Sequence, residues 1–179
     1  MKFLRGALYF LIVALLLSGC GYHLAGYGST LPPHIRAISI PVFKNSSSEP
    51  NIQRDATDAI RRAFISDGRL KVADTRKADL LMRGTLTDYQ LRAVAFNSED
   101  SAEEYIVRLG IQVEAYDRIK KKIIFNQKFT TQWDYRSTSS VVDSDSAKHT
   151  ALKEAYADLA DRLVTVSYTH LTLPTKRIV

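Results

Sequence analysis

The chain has 179 residues, 45% of them hydrophobic and 25% charged, which is the composition of a globular protein with one domain. The formal charge of +6 includes four cations in two terminal segments, Lys2, Arg5, Lys176 and Arg177. Without them 21 basic residues face 19 acidic ones. This near balance argues against a nucleic-acid partner.

Residues 1–19 have the pattern of a secretory signal peptide: Lys2 and Arg5, then the apolar run 7–17, then Ser18 and Gly19. An uncleaved anchor is the alternative, but a membrane span needs about 20 apolar residues. The motif "LSGC" at 17–20 resembles the bacterial lipobox, in which the thiol receives a diacylglyceryl group before cleavage on its amino side. We therefore predict lipid attachment at Cys20, with a further acyl chain on the freed amine.

Cys20 is the single cysteine of the chain, so its lipidation excludes disulfides and thiolate metal sites from the mature protein. Gly21 follows it where some lipoproteins have aspartate. By resemblance to lipoproteins without that aspartate, we expect an outer-membrane protein that faces the periplasm. Residues 20–34, rich in Gly and Pro, are predicted to be a tether, of which residues 21–33 reach about 40 Å when extended.

Two elements are predicted in the first half of the folded part. Alternation of Ile38, Ile40 and Val42 predicts a strand, in which Pro41 favours an edge position or a bulge. An amphipathic helix follows, capped by Ser48 and ended by Asp67 and Gly68. Its apolar stripe consists of Ile52, Ala56, Ala59, Ile60, Ala63 and Phe64.

Strands dominate the second half. After a short strand at Leu70 and Val72, residues 80–96 form a long strand whose alternation changes parity, which predicts a bulge near Thr87 and Asp88. Residues 105–115 and 123–135 alternate apolar and polar side chains around "DRIKKK", which predicts an antiparallel hairpin with one polar face.

A second helix, capped by Asp143 or Ser144, has an apolar stripe from Ala147 to Leu163. We predict an α+β two-layer sandwich over residues 35–166, with two helices packed on one face of a mostly antiparallel four- to five-stranded sheet. The stripe stops after Val164, and "SYTHLTLPT" resembles translated sequencing-adapter read-through. Residues 167–179 are therefore predicted to be non-native, with a native strand or disordered end as the alternative.

No enzyme is predicted. The four histidines (His23, His34, His149 and His170) show no metal-ligand spacing, and no phosphate loop or nucleophile elbow occurs. The acidic loop 97–104 lacks the spacing of a calcium site. We expect no metal and no cofactor other than the covalent lipid.

Three segments carry a family resemblance: "GCGYHLAGYGSTLPPHIRAISIPVFKN" at 19–45, "ADLLMRGTLTDYQ" at 78–90 and "AEEYIVRLGIQVEAYD" at 102–117. They resemble the lipopolysaccharide-assembly lipoprotein family LptE. The resemblance implies a lipid-anchored two-layer sandwich that sits in the lumen of the outer-membrane β-barrel LptD, assists its assembly and contacts lipopolysaccharide. The implied partners are an LptD-like barrel and lipopolysaccharide, with no nucleic acid.

In that family, lipopolysaccharide contacts are attributed to basic side chains in loops at one end of the sheet. Here the loop "FNSEDSAEE" at 96–104 is acidic, and the nearest cations, Arg92 and Arg136, are the candidate contacts. Lys120, Lys121 and Lys122, at the other end, could meet phosphates or be a solvated hairpin tip. The alternative function is a free-standing, periplasm-facing adaptor or ligand-binding lipoprotein.

Overall fold

A computed structural model describes residues 31–137 and 140–172 of the chain. Cys20, the signal peptide at 1–19 and the tether up to residue 30 lie outside the described residues, as do residues 173–179. What the sequence predicts for those segments stays a prediction.

Within the described ranges six strands form a single sheet: β1 (Ala37–Ser39), β2 (Lys44–Asn45), β3 (Lys71–Val72), β4 (Leu80–Phe96), β5 (Ala102–Asp117) and β6 (Lys122–Arg136). Their order is β3-β1-β4-β5-β6, and β2 also pairs with β4. The short strands pair in parallel, whereas the three long strands form an antiparallel meander. The α+β class and the mostly antiparallel sheet are as predicted.

Strand β4 contains the predicted bulge. Leu86 pairs with Ile111 and Asp88 with Gly110, so that Thr87 is an extra residue. One inserted residue reverses the facing of every later side chain. Tyr89 therefore returns to the face that carries its partner Leu109, which is fully buried.

Two helices, α1 (Ile52–Asp67) and α2 (Val141–Thr172), cover one face of this sheet. Between the layers lies one hydrophobic core, to which both helices and all the long strands contribute. Its largest fully buried side chains include Phe64, Ile60, Leu109, Leu159 and Leu163. The predicted two-layer arrangement is confirmed.

Both helices begin at other residues than predicted. Helix α1 begins at Ile52 after Asn51, whose φ of 66° is left-handed, and not after Ser48. The Asn45 side chain holds the preceding segment as a loop, because its amide donates to the Glu49 carbonyl and its oxygen accepts from the Ser47 amide. Helix α2 begins one turn early, and the Ser140 hydroxyl accepts from the Asp143 amide as a cap.

The strand around Pro41 also differs from the prediction. Strand β1 lies inside the sheet, between β3 and β4, and ends at Ser39. Pro41 falls in the gap before β2, where its missing N–H interrupts no ladder. The predicted alternation breaks in this gap, since Ile40 and Phe43 are buried whereas Val42 is 52% exposed.

Helix α2 continues beyond Val164 to Thr172, so the predicted end of its apolar stripe is wrong. Ser167, Tyr168 and Leu171 are buried. The Tyr168 ring lies 6.3 Å from that of Phe64, and the Arg69 guanidinium lies 3.5 Å from the Tyr168 ring centroid. Sequence periodicity missed these last turns of the helix because a polar residue, Ser167, occupies a core position. That 167–179 is non-native stays a prediction.

Candidate functional site

Arg92 and Arg136 lie on the same face and at the same end of the sheet, which we call the distal end. Arg92 pairs with Ile106 and Arg136 with Glu104, so the two arginines flank β5 from opposite sides. Two strand spacings and two residues of rise separate their Cα atoms by roughly 12 Å. Both side chains are exposed on the face that carries no helix.

Neither guanidinium forms an ion pair with a residue in the described part of the chain. Acidic groups nevertheless lie close by: Glu104 stands between the arginines on β5, and Asp134 pairs with Ile106. These carboxylates lower the local positive potential. A phosphate could be bound by the two arginines, but at a surface that salt screens readily.

The loop between β4 and β5 is organised by one side chain. The Asn97 oxygen accepts hydrogen bonds from the backbone amides of Glu99 and Ser101, both at 2.9 Å. The backbone amide of Asn97 also donates to the Ser101 carbonyl. Asp100 has a φ of 61°, which suits a tight turn. The acidic side chains of this loop are thereby displayed to solvent.

Large apolar side chains are exposed around the same end. We call Leu91, Val94, Phe96, Val141 and Val142 the distal apolar patch. Phe96 is 58% exposed and Val141 84% exposed. The sequence did not reveal this exposure, because periodicity does not show where the helix layer stops covering a long strand. Exposed apolar side chains at one end of a domain suit a binding surface.

A polar cluster joins the two layers near the start of both helices. Lys148 Nζ lies 3.1 Å from Glu49 Oε1 and 5.9 Å from the Tyr89 ring centroid. Burial raises the pKa of Tyr89. Burial alone would lower the pKa of Lys148, but Glu49 and Tyr89 outweigh it and raise that pKa. Lys148 therefore stays protonated and acts as a structural ion-pair partner, not as a general base.

The remaining predictions for the site concern metal binding and the lipid anchor. Among the residues that the structure describes, no three His, Cys, Asp or Glu side chains are placed to hold a metal ion. Within the same ranges no helix has both the length and the apolar character needed to cross a membrane. Cys20 lies outside the described residues, so its lipidation stays a prediction.

The fold is a small two-layer α+β sandwich with one open polar sheet face. The family model described as "LptE: Lipopolysaccharide-assembly" matches residues 35–166, and the chain belongs to the LptE family. The family resemblance seen in the sequence is confirmed. Because this family of lipopolysaccharide-assembly lipoproteins is non-enzymatic, the prediction that the chain is not an enzyme is confirmed as well.

Solved structures share the fold at low identity. Lipoprotein B from Nitrosomonas europaea is 14% identical over 86% of this chain and 95% of its own, with a TM-score of 0.57. Rare lipoprotein B from Shewanella oneidensis is 16% identical over 71% and 93%, with a TM-score of 0.52. A minor lipoprotein from Acinetobacter baumannii is 15% identical over 77% and 94%, also at 0.52. No curated protein sequence matched the chain.

Proposed function

We propose that the protein is an outer-membrane lipoprotein, attached by lipid at Cys20, that plugs an LptD-like β-barrel and assists its assembly. In this complex it takes part in lipopolysaccharide transport and insertion at the cell surface. Membership of the lipopolysaccharide-assembly family supports the process. The "LSGC" motif supports the anchor.

The observation that best supports a role as a barrel plug is the open face of the sheet. Both helices pack on the opposite face, so the three long strands present one polar surface free of other elements in the described chain. That surface displays Arg83, Thr85, Arg108, Gln112, Glu114, Asn126, Lys128 and Gln132. The interior of a large outer-membrane barrel is also polar. A polar face of this kind can line such a lumen without leaving buried unpaired groups.

The length of the sheet suits the same arrangement. Strands of 15 to 17 residues extend about 50 Å, whereas the apolar band of an outer-membrane barrel is about 25 Å tall. A sheet that threads the lumen therefore projects at both ends. The distal end, with Arg92 and Arg136, lies at one side of the barrel and the tether joins at the other.

The distal end has the two chemistries that lipopolysaccharide requires. Its arginines suit phosphate groups, and the distal apolar patch suits acyl chains. Glu104 and the acidic loop 97–104 oppose a tight phosphate site. We therefore propose that lipopolysaccharide binds the distal end weakly and in a salt-sensitive way. Weak binding suits a protein that passes its ligand on.

Photo-crosslinking tests the plug directly. A photoreactive amino acid at Gln112 or Lys128, both on the open face, should yield an adduct with a much larger barrel protein in intact cells. The same probe at Asp58, on the outer side of α1, gives the yield of a general exposed position. If the sheet positions give no barrel adduct although the protein is in the membrane, a free-standing adaptor replaces this proposal.

The anchor is tested separately. Cys20→Ser removes the sulfur that the lipid requires, so the variant should accumulate as a larger precursor without a lipid adduct in mass spectrometry. A variant of unchanged mass that still attaches to the membrane would contradict lipidation at Cys20.

A further inference from the structure

The end of the domain that the tether joins is strongly basic. We call the segments 31–37, 74–79 and 117–122, together with Lys71, the basic end. Its eight cations are Arg36, Lys71, Arg76, Lys77, Arg118, Lys120, Lys121 and Lys122, and all eight are exposed. Its three carboxylates are Asp74, Asp79 and Asp117. The basic end thus has an excess of five positive charges.

Backbone hydrogen bonds bring these segments together into one surface. The Lys71 amide donates to the Arg36 carbonyl at 3.0 Å. The Arg36 amide donates to Asp79 Oδ2 at 2.9 Å. The Arg118 amide in turn donates to the Asp79 carbonyl at 2.9 Å. The basic residues therefore share one end of the sheet, with the first described residues of the chain.

Two of the three carboxylates are engaged by backbone donors. Asp79 accepts from the amides of Arg36 and Ala37, and Asp117 accepts from the amides of Ile119 and Lys120. Lys120, Lys121 and Lys122 form no ion pair with any residue in 31–137 or 140–172. The turn therefore displays three ammonium groups free for an external anion.

Aliphatic side chains flank these lysines. Ile119 and Ile123 are 53% and 52% exposed at the tip of the hairpin. Basic and apolar side chains together are the composition of surfaces that rest in a lipid headgroup layer. Lys121 also holds a φ of 52°, a left-handed conformation that Gly adopts with less strain.

Charge is distributed unequally along the molecule. The opposite end carries Glu99, Asp100, Glu103 and Glu104 within eight residues that contain no cation. About 50 Å of strand separates the two ends, and salt screens charges beyond about 8 Å under physiological conditions. The acidic end therefore cannot neutralise the basic one, and an anionic surface would orient the domain.

We propose that the basic end rests on the anionic phospholipid headgroups of the leaflet that holds Cys20. This inference rests on the lipid anchor of the proposed function. Eleven peptide units join Cys20 to Leu31 and span at most about 36 Å, so the anchor keeps this end of the domain near the membrane. The headgroup contact sets the sheet upright, with Arg92 and Arg136 pointing away from that leaflet.

The experiment uses the lipidated mature chain in vesicles. Since Cys20 is the sole cysteine and its sulfur carries the lipid, one introduced cysteine gives one fluorophore. The positions are Ile119→Cys at the basic end and Ser98→Cys at the distal end. Quenching by headgroup-labelled nitroxide lipid is compared between phosphatidylglycerol-containing vesicles and phosphatidylcholine vesicles, at low and high salt.

We expect strong quenching at position 119 in anionic vesicles, weakened by salt and by phosphatidylcholine, and little quenching at position 98. Lys120, Lys121 and Lys122 all changed to Gln should reduce the quenching at 119 towards the phosphatidylcholine level, since each cation contributes about fivefold to binding an anionic surface. Changing Arg54, Arg62 and Lys153 to Gln removes the same charge from the helix layer and should leave it unchanged. Lys121→Gly should reduce the quenching at position 119 without loss of thermal stability.

Quenching at 119 that is indifferent to lipid charge and to the turn lysines overturns the proposal. Failure of the anchor gives a different result. An unlipidated chain takes up two fluorophores and does not co-float with vesicles, whereas a lipidated chain with unoriented ends retains the anchor and refutes the headgroup contact.

Discussion

His34 Nε2 lies 2.9 Å from Asp117 Oδ2, and this contact joins the base of the tether to the last residue of β5. Asp117 is 1% exposed, and its other oxygen accepts two backbone hydrogen bonds from the following turn. One buried carboxylate thus fixes both the entry of the chain into the domain and the shape of the basic hairpin tip.

Asp117→Asn should destabilise the fold at neutral pH by about 2 kcal/mol, because it removes the charge from three charge-assisted hydrogen bonds. Burial works to raise the pKa of Asp117, but His34 and the turn amides outweigh it and lower that pKa below the ordinary 3.8. The contribution is therefore complete above about pH 3.8 and is lost as pH falls through the folded pKa. Urea unfolding across pH should show the difference between variant and wild type shrinking in acid.

Asp74→Asn is the matched control for this prediction, since it removes an exposed carboxylate from the same end. It should change the free energy of unfolding by less than about 0.5 kcal/mol. Equal destabilisation by both variants would show that net charge, and not the Asp117 contacts, sets stability here.

Gly84 lies against the face of the Phe43 ring, and an added Cβ would stand 2.2 Å from Phe43 Cε2. Phe43 is buried, and its backbone amide donates to the Thr57 hydroxyl. The Phe43 ring therefore has little room to shift. Gly84→Ala should therefore destabilise the fold by about 1 to 3 kcal/mol in chemical denaturation. Adding Phe43→Leu should recover part of that loss, and strictly additive effects would contradict a direct clash.

The last turns of α2 supply a third test. A chain that ends after Thr172 keeps the buried Tyr168 and Leu171, whereas one that ends after Val166 loses them. Loss of two buried side chains should cost about 3 kcal/mol or more. Tyr168→Ala alone should account for a large part of it. Equal stability of the two truncated chains would remove residues 167–172 from the core.

The distal arginines can be tested with purified lipopolysaccharide. Each cation contributes about 1 kcal/mol at an anionic lipid surface, so Arg92→Ala with Arg136→Ala should weaken binding roughly 30-fold at low salt. The loss should shrink as salt rises. Arg54→Ala with Arg62→Ala, on helix α1, removes the same charge and should leave affinity unchanged. Similar affinities for the two double variants would exclude Arg92 and Arg136 as contacts.

Elements with a long, regular pattern could be predicted from the sequence. The bounds of β4, the bulge at Thr87 and the hairpin around 117–122 follow from alternation and its single change of parity. These features depend on local chemistry and on one buried face, both of which the residue order records.

Features that depend on distant partners could not be predicted. Ser48 is a good capping residue, yet the helix begins at Ile52 because Asn45 holds the intervening loop. Lys148 meets Glu49 across 99 residues, and no spacing rule connects them. The distal apolar patch could not be predicted for a similar reason, since its exposure depends on where the helices end over the sheet.

The basic end could be predicted from the sequence only in part. The three consecutive lysines are visible in the sequence, but Arg36, Lys71 and Arg118 join them only through the strand pairing. The net charge of the folded part is close to zero, and it does not show that one end of the domain is basic and the other acidic.

Purification from native outer membranes, under mild detergent and without crosslinking, tests the plug most directly. The account predicts a stable one-to-one complex of this protein, mass-shifted by its lipid at Cys20, with one β-barrel protein of much larger mass. Recovery of the lipidated protein alone, with no barrel at any detergent concentration that preserves other membrane complexes, would contradict it.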